Sequence, residues 1–338
     1  MSGPIRVGVI GAGPMGRYHC ATLAALPAAR LAAVADPNDD AARAAVALAP
    51  DARPTSDYRT LLDDASIDAV LIATPNDTHA ALIAEAAEAG KHVFCEKPLA
   101  RDLESADAAL AAVRRAGVKL QLGFQRRFDP AYREARRLIE SGDLGAVELV
   151  LSTTRDPAPP SIDYMRHSGG LFNDTLIHDV DSVRYLTGLE AVEVSAAASR
   201  LHLPLDADEA GLVDTAVTTL RLATGALAVV TNSLRAAYGY EVGADVFGSK
   251  GKVTVAREAL TGARRFDTAG VHTDHVVATV DRFREAFQAE IAAFVDCVAS
   301  DTEPQATAAD GRAALALCLA AQRSHREGQP IGIPSRSS

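Results

Sequence analysis

Three sets of residues in this chain have the types and spacing that chemistry requires. The first is Gly11-Ala-Gly-Pro-Met-Gly16. Glycines so spaced let the chain turn tightly and let its backbone approach a pyrophosphate, whose charge meets the N–H groups at a helix N-terminus. Alone such a triplet says little. Here a strand pattern precedes it, a helix pattern follows, and Asp36 ends the second strand about 20 residues on. A carboxylate there accepts hydrogen bonds from adenosine ribose hydroxyls and repels a 2′-phosphate, and Ala35, Pro37 and Asn38 supply no arginine to receive one. NAD is expected in preference to NADP. The fingerprint by itself also admits FAD, and Asp36 also suits a turn before the next helix.

The second set is Glu96-Lys97-Pro98, at the carboxyl end of the strand pattern His92–Cys95, the edge where ligands of doubly wound sheets bind. A lysine there would lie near a nicotinamide; a surface ion pair is the other reading. The third is Asp174-Thr-Leu-Ile-His178, introduced by Gly169-Gly170 and continuing as a helix to Thr187, before Gly188. On a helical repeat Leu176, Val180 and Val183 share one face, while Asp174, His178, Asp181 and Tyr185 fall on the other. An aspartate beside a histidine favours the imidazolium and fixes the ring tautomer, which suits a group that takes a proton near neutral pH. Asp174 as a helix cap beside a merely wet face is the second reading, and spacing alone leaves both open.

The elements that must position these groups are legible. Strand patterns at Ile5–Ile10, Leu31–Ala35, Ala69–Ala73, His92–Cys95 and Lys119–Gly123 alternate with Ala-rich helical runs, the rhythm of βαβ units. Asp77-Thr78 can cap a run ending at Gly90, and Asp102 one ending at Gly117. After Gly123 a helix over Pro130–Ser141 leads into longer strand patterns: Val147–Thr154, Val192–Arg200, Thr215–Leu222, Ala226–Leu234, Tyr240–Phe247 and Lys252–Ala256. The links Ala-Thr-Gly and Gly-Ser-Lys-Gly read as antiparallel hairpins. Val280, Phe283, Phe287, Ile291, Phe294 and Val298 make one helical stripe, and Ala308–Arg326 makes another helix.

Composition sets the bounds. A chain of 338 residues suggests two domains, expected over 1–125 and 126–338, with the C-terminal helix able to pack back on the first. A formal net charge of −10 disfavours nucleic acid and anionic lipid as partners. The longest stretch without Asp, Glu, Lys or Arg, Leu222 to Leu234, is too short to span a bilayer. The start of the chain has no room for a secretory segment, so a cytoplasmic location is expected. Four dispersed cysteines, without a Cys-x-x-Cys, read as buried small side chains. His272-Thr-Asp-His275 lacks the glutamate of a zinc-protease helix and reads as a loop, so no metal is expected.

The chain resembles the Gfo/Idh/MocA oxidoreductases over essentially its whole length, and within them is most similar to the inositol 2-dehydrogenase branch. The glycine turn carries the likeness, with Thr74-Pro-Asn-Asp-Thr-His79, Glu96-Lys-Pro98, Gly123-Phe-Gln-Arg-Arg-Phe-Asp129, Arg155-Asp-Pro-Ala-Pro-Pro160 and Ser168-Gly-Gly-Leu-Phe-Asn-Asp-Thr-Leu-Ile-His-Asp179. The resemblance implies an α/β chain: a Rossmann doubly wound parallel sheet domain, then an α+β domain with a large, mostly antiparallel open sheet. It puts Lys97, Asp174 and His178 in catalysis. Along the cofactor it puts Gly11, Gly13, Pro14, Met15, Gly16, Asp36, Thr74, Pro75, Asn76, His79, Glu96 and Lys97. Arg127, Asp156, Thr175 and a tyrosine of Tyr238-Gly-Tyr240, with Lys97, Asp174 and His178, fall where relatives line a polyol pocket; a structural polar role is the alternative for the first four. Some relatives carry a histidine near Thr154 and a tyrosine near Phe287, from which this chain departs.

The activity implied is NAD-dependent oxidation of a secondary alcohol of a cyclitol, in a homo-oligomer, dimer or tetramer, formed through the second-domain sheet. Two alternatives are another pyranose or aminocyclitol dehydrogenase and a non-catalytic NAD(P)-binding regulator, which would need neither the lysine nor the Asp/His pair.

Overall fold

The computed structural model describes residues 3–334 except 205, 206, 208–210, 257–260 and 262. Residue contacts divide the chain into two units, 1–125 with 287–315, and 126–286 with 316–338.

In the first unit β1 (Ile5–Ile10), β2 (Ala29–Ala35), β3 (Arg53–Thr55), β4 (Ala69–Ile72), β5 (His92–Glu96) and β6 (Leu120–Gly123) form a wholly parallel sheet ordered β3-β2-β1-β4-β5-β6. The order reverses between β1 and β4, which makes the carboxyl ends of those strands the ligand edge. Strands covered on both faces need unbroken apolar runs, as in β4, where Ala69, Val70, Leu71 and Ile72 are all buried. β3 has no such run. It is Arg-Pro-Thr on the sheet edge, where a proline is tolerated, and sequence periodicity does not register it.

Asp102 caps the helix Leu103–Ala116 by accepting the Ser105 N–H at 2.8 Å, and Gly117 closes it at φ +67°. The expected cap at Asp77-Thr78 is absent. Asn76–Thr78 is a 3₁₀ turn, and the Thr78 hydroxyl lies 2.7 Å from the Pro75 carbonyl and 2.6 Å from the Thr74 hydroxyl, so it never reaches the helix His79–Glu88. The apolar stripe of the helix Arg284–Ser300 enters this unit's core, where Ile291, Phe294, Val295 and Val298 pack with Val7, Leu71 and Phe94.

The second unit holds β7 (Val147–Arg155), β8 (Ala191–Ser199), β9 (Thr215–Leu222), β10 (Leu227–Ser233), β11 (Glu241–Gly248) and β12 (Gly251–Ala256). With β15 (Ile331–Gly332), which follows the small hairpin β13 (Arg264–Asp267) and β14 (Gly270–Thr273), they form a sheet ordered β12-β11-β7-β10-β9-β8-β15. Among the described residues of this sheet only the β7/β10 pair is parallel. Both expected hairpins, β9/β10 and β11/β12, are present. Burial alternates along β9, with Ala216, Thr218, Leu220 and Leu222 inside and Val217, Thr219 and Arg221 outside, so one face is covered and the other open. The helix Ile177–Thr187 packs on the covered face against β7 and β10. Among the described residues no helix is long and apolar enough to cross a membrane.

Candidate functional site

In the first unit the chain leaves β1 through Gly11 at φ +98°, where a Cβ would stand 2.5 Å from the Ala73 carbonyl oxygen. At Gly16 a Cβ would come within 1.9 Å of the Gly11 oxygen. Both glycines are therefore demanded by packing. Gly13 differs: nothing lies within 4 Å of the position its Cβ would take. It is the N-cap of the helix Pro14–Ala25, whose first turn has no side-chain cap and no acidic residue. An open approach over backbone N–H groups suits a pyrophosphate. Asp36 lies beside this turn, Oδ2 accepting the Ala12 N–H at 2.7 Å and Oδ1 the Asn38 N–H at 2.8 Å. Each oxygen keeps a second lone pair for a ribose hydroxyl. These residues fit a bound NAD, with Asp36 at the ribose end and residues 13–16 at the phosphates.

Thr74, Pro75 and His79 follow β4. The His79 ring is fully buried, its Nδ1 2.7 Å from the Pro98 carbonyl oxygen and its Nε2 3.0 Å from that of Thr74. Burial holds its pKa below the ordinary value, against the pull of those carbonyls, so the ring is neutral at pH 7 and donates to one of them. It ties the loop after β4 to the loop after β5. Asn76 is buried; Lys97 is half-buried. Glu96 turns inward: Oε1 lies 2.7 Å from Nε2 of the buried His19, and a Cβ on Gly123 would meet Oε2 at 2.9 Å. Burial alone would raise the Glu96 carboxyl, but the His19 hydrogen bond and the positive charge of Lys97 beside it outweigh that and hold it below the usual range.

In the second unit Asp174 and His178 lie on one helical segment that Gly169 and Gly170, both at positive φ, introduce. Its opening, Phe172–Leu176, is a π-helical turn that runs into the helix Ile177–Thr187. Such turns insert a residue and re-aim side chains, and they recur at functional sites. Asp174 sits within this turn, whose N-cap is Leu171, so it is not the helix cap. Asp174 and His178 are both half-buried, whereas Thr175 is buried. Asp181, expected on the same polar face, is buried because Arg127 covers it, with Nε 2.9 Å from Oδ2 and Nη2 2.6 Å from Oδ1. Arg127 thus has a buried bidentate partner on the helix and lies against the Tyr185 ring. Tyr238 is exposed, with its hydroxyl on Glu241, and Asp156 is half-buried, its N–H donated to the Ser233 carbonyl.

The residue after His178 holds the segment down. Asp179 is fully buried and accepts from Arg126 (2.9 Å), Ser152 (2.6 Å), Thr154 (3.0 Å) and Asn232 (2.8 Å), groups drawn from the 3₁₀ turn Gln125–Phe128, β7 and β10. Burial works against the Arg126 charge, and the Asp179 carboxylate overcomes it, raising the guanidinium's pKa. Sequence reasoning singled out neither residue, although both lie in the motifs quoted above. His272 lies on β14, not in a loop, with Nε2 3.1 Å from Asp267, while His275 stands beside the Tyr238 ring.

The glycine turn after β1, with Asp36 beside it at the end of β2, marks a dinucleotide-binding unit of the kind found in NAD(P)-linked oxidoreductases. The family profile described as an oxidoreductase family with an NAD-binding Rossmann fold matches residues 5–124, and the GFO/IDH/MocA C-terminal domain profile matches 132–254. The chain belongs to the Gfo/Idh/MocA family. It is 40% identical over 336 residues to the inositol 2-dehydrogenase of Rhizobium meliloti, covering 97% of this chain and 99% of that one. To the myo-inositol 2-dehydrogenase of Thermotoga maritima it is 38% identical over 330 residues, covering 97% and 98%. The scyllo-inositol dehydrogenase of Lactobacillus casei, solved with NAD(H) and scyllo-inositol, superposes with a TM-score of 0.92 at 30% identity, covering 98% of this chain and all of that one.

Proposed function

We propose that this chain oxidises a secondary alcohol of a cyclitol, myo-inositol or a close relative, to the ketone, with NAD as cofactor. What carries the reading is the near full-length likeness to inositol dehydrogenases in a chain that keeps Lys97, Asp174 and His178. Bound NAD supplies the hydride acceptor. The chain's own groups handle the proton. An alcohol is a very weak acid, so a base must take its proton as the hydride leaves; His178, oriented by Asp174, has that role. The Lys97 ammonium stabilises negative charge developing on the substrate oxygen. Asp156, Thr175 and Tyr238 read ring hydroxyls, while Arg127, gripped by Asp181, holds the helix in place. NADH absorbance followed with NAD and a panel of inositols, aldoses and aminocyclitols tests this, with turnover expected on an inositol and no turnover on any polyol overturning it.

One observation favours a pyranose or aminocyclitol as the second reading. The Thr154 hydroxyl, where some relatives carry a histidine, is buried between Arg126 and Asp179, and so reads no hydroxyl of a substrate. The same panel separates the two substrates. For the cofactor, Asp36→Ser is expected to shift the NADP/NAD ratio of kcat/KM upward by about tenfold or more, because the carboxylate that repels a 2′-phosphate is gone. An unchanged ratio would remove Asp36 from cofactor choice.

We further infer a homo-oligomer, dimer or tetramer, because the open sheet face presents Leu151, Val217 and Leu227 at 37%, 46% and 44% exposure. A cytoplasmic location accords with four buried cysteines, none of them in a disulfide among the described residues. Light scattering on the purified protein and fractionation of cells test the two; a monomer, or export of the chain, would contradict them.

A further inference from the structure

The stripe of the helix Arg284–Ser300 contains one residue that does not belong there. Glu290 is three residues after Phe287 and four before Phe294, so it shares their face, and it is fully buried. Among the described residues no N–H or O–H donor reaches either of its carboxyl oxygens. Glu96 and His19 lie beside it, with one oxygen or nitrogen of each of the three groups within 4.8 Å of the others. The rings of Phe94 and Phe287 stand 5.5 Å and 6.2 Å from that of His19, so the surroundings are apolar. Gln121 Nε2 donates to the Glu290 carbonyl at 2.8 Å, which fixes this turn of the helix against β6.

Two carboxyl groups this close, one fully buried and the other with a side chain 12% exposed, do not both carry a charge unless something positive lies between them. A divalent cation is one candidate, since the three groups offer N, O and O donors. The His19 to Glu96 separation of 2.7 Å argues for a proton instead. Two donors on one metal, each about 2.1 Å from it, stand roughly 3 Å or more apart, whereas 2.7 Å is an ordinary hydrogen-bond length.

We propose that Glu290 is a neutral carboxylic acid that gives its hydrogen to the Glu96 carboxylate, and that this shared proton, braced by His19, is a positioning device for Lys97. Glu96 is covalently next to Lys97 at the end of β5. Its carboxylate is held on one side by His19 and seated over Gly123, where a side chain would displace it. Burial, and then the charge on Glu96, push the Glu290 acid well above its ordinary value. The charged and titratable groups around Glu96 are His19 from the helix Pro14–Ala25, Lys97 just past β5, the thiol of Cys95 on β5, and His79, while Glu96 itself is the one that acts on Glu290. The claim about position rests on the catalytic role proposed for Lys97; the claim about the proton does not.

Infrared difference spectra between wild type and Glu290→Gln at pH 7 read the proton directly. The carbonyl stretch of a protonated carboxyl is expected in the wild type and absent from the variant; no such band overturns the proposal. Thermal stability gives a second reading without substrate. An acid raised in the folded state binds its proton more tightly there than in the unfolded chain, so it costs stability above the unfolded value and ceases to do so below it. Glu290→Gln is therefore expected to melt above wild type at pH 8, with the gap closing near pH 4. A variant that melts lower at pH 8, or a stoichiometric metal in the purified protein, overturns it.

For position, Glu290→Met is expected to lower kcat roughly tenfold or more with the KM for NAD little changed, and Glu290→Gln, which can still donate to Glu96, to recover most of that loss. Equal kcat in Glu290→Met and wild type overturns the positioning role alone and leaves the proton result standing.

Discussion

Replacing Lys97 with alanine is expected to lower kcat for inositol oxidation by about a thousandfold or more while NAD binds within roughly threefold of wild type. Lys97 sits at the carboxyl end of β5, on the ligand edge of a doubly wound sheet, and is half-buried. A half-buried cation polarises a nearby oxygen more strongly than one in bulk water, because the medium screens it less. The groups that hold NAD in this reading, residues 13–16 and Asp36, belong to the turn after β1 and the end of β2, so removing the ammonium leaves them intact. Single-turnover kinetics with a fluorescence titration of NADH separate the two quantities. Turnover within a few-fold of wild type would remove Lys97 from the chemistry. Adding His178→Ala gives a second reading: groups serving one proton transfer act non-additively, so the double variant is expected to be little slower than the slower single one.

What could be read from the sequence, and what could not, follows from the range of each signal. The glycine turn, Asp36 and the Asp102 cap are local, and each needs only its immediate neighbours to be recognised. The strands β9 and β11 are likewise legible, because burial of one face imposes an alternation that the residues display. The π turn is not. Periodicity tests assume a helical repeat, and Phe172–Leu176 breaks that assumption just where Asp174 sits. The same assumption put Asp181 on a wet face, although Arg127, distant in sequence, covers it.

Glu290 is an instructive miss, because its signal was present. A glutamate at a stripe position between Phe287 and Phe294 is a buried charge in waiting, and listing only the apolar members of the stripe hides it. Arg126 is different, since nothing in its spacing separates it from Arg127. The segment Gln125–Phe128 sends both guanidiniums inward to aspartates more than fifty residues ahead, a tertiary fact that sequence distance conceals.

The largest stability effect is expected at Asp179. Its carboxylate accepts from four side chains and neutralises Arg126, which is 2% exposed. Asp179→Leu would leave that guanidinium buried with no counter-charge, and the hydroxyls of Ser152 and Thr154 and the amide of Asn232 without their acceptor. Removing one member of a buried pair costs about 3–5 kcal/mol, most of it the stranded charge. Urea titration is expected to show the midpoint falling accordingly. Arg126→Met with Asp179→Leu should recover much of the loss, because an apolar pair of similar volume carries no desolvation penalty. A midpoint that does not move in Asp179→Leu would mean that the network contributes nothing to stability. Asp179→Asn keeps the shape and removes the charge, so it separates folding from placement of the neighbouring residue. His178 precedes Asp179 on the helix that this network pins to β7 and β10. In a variant that still folds, a fall in kcat with unchanged NAD binding is therefore the expected mark of a displaced imidazole.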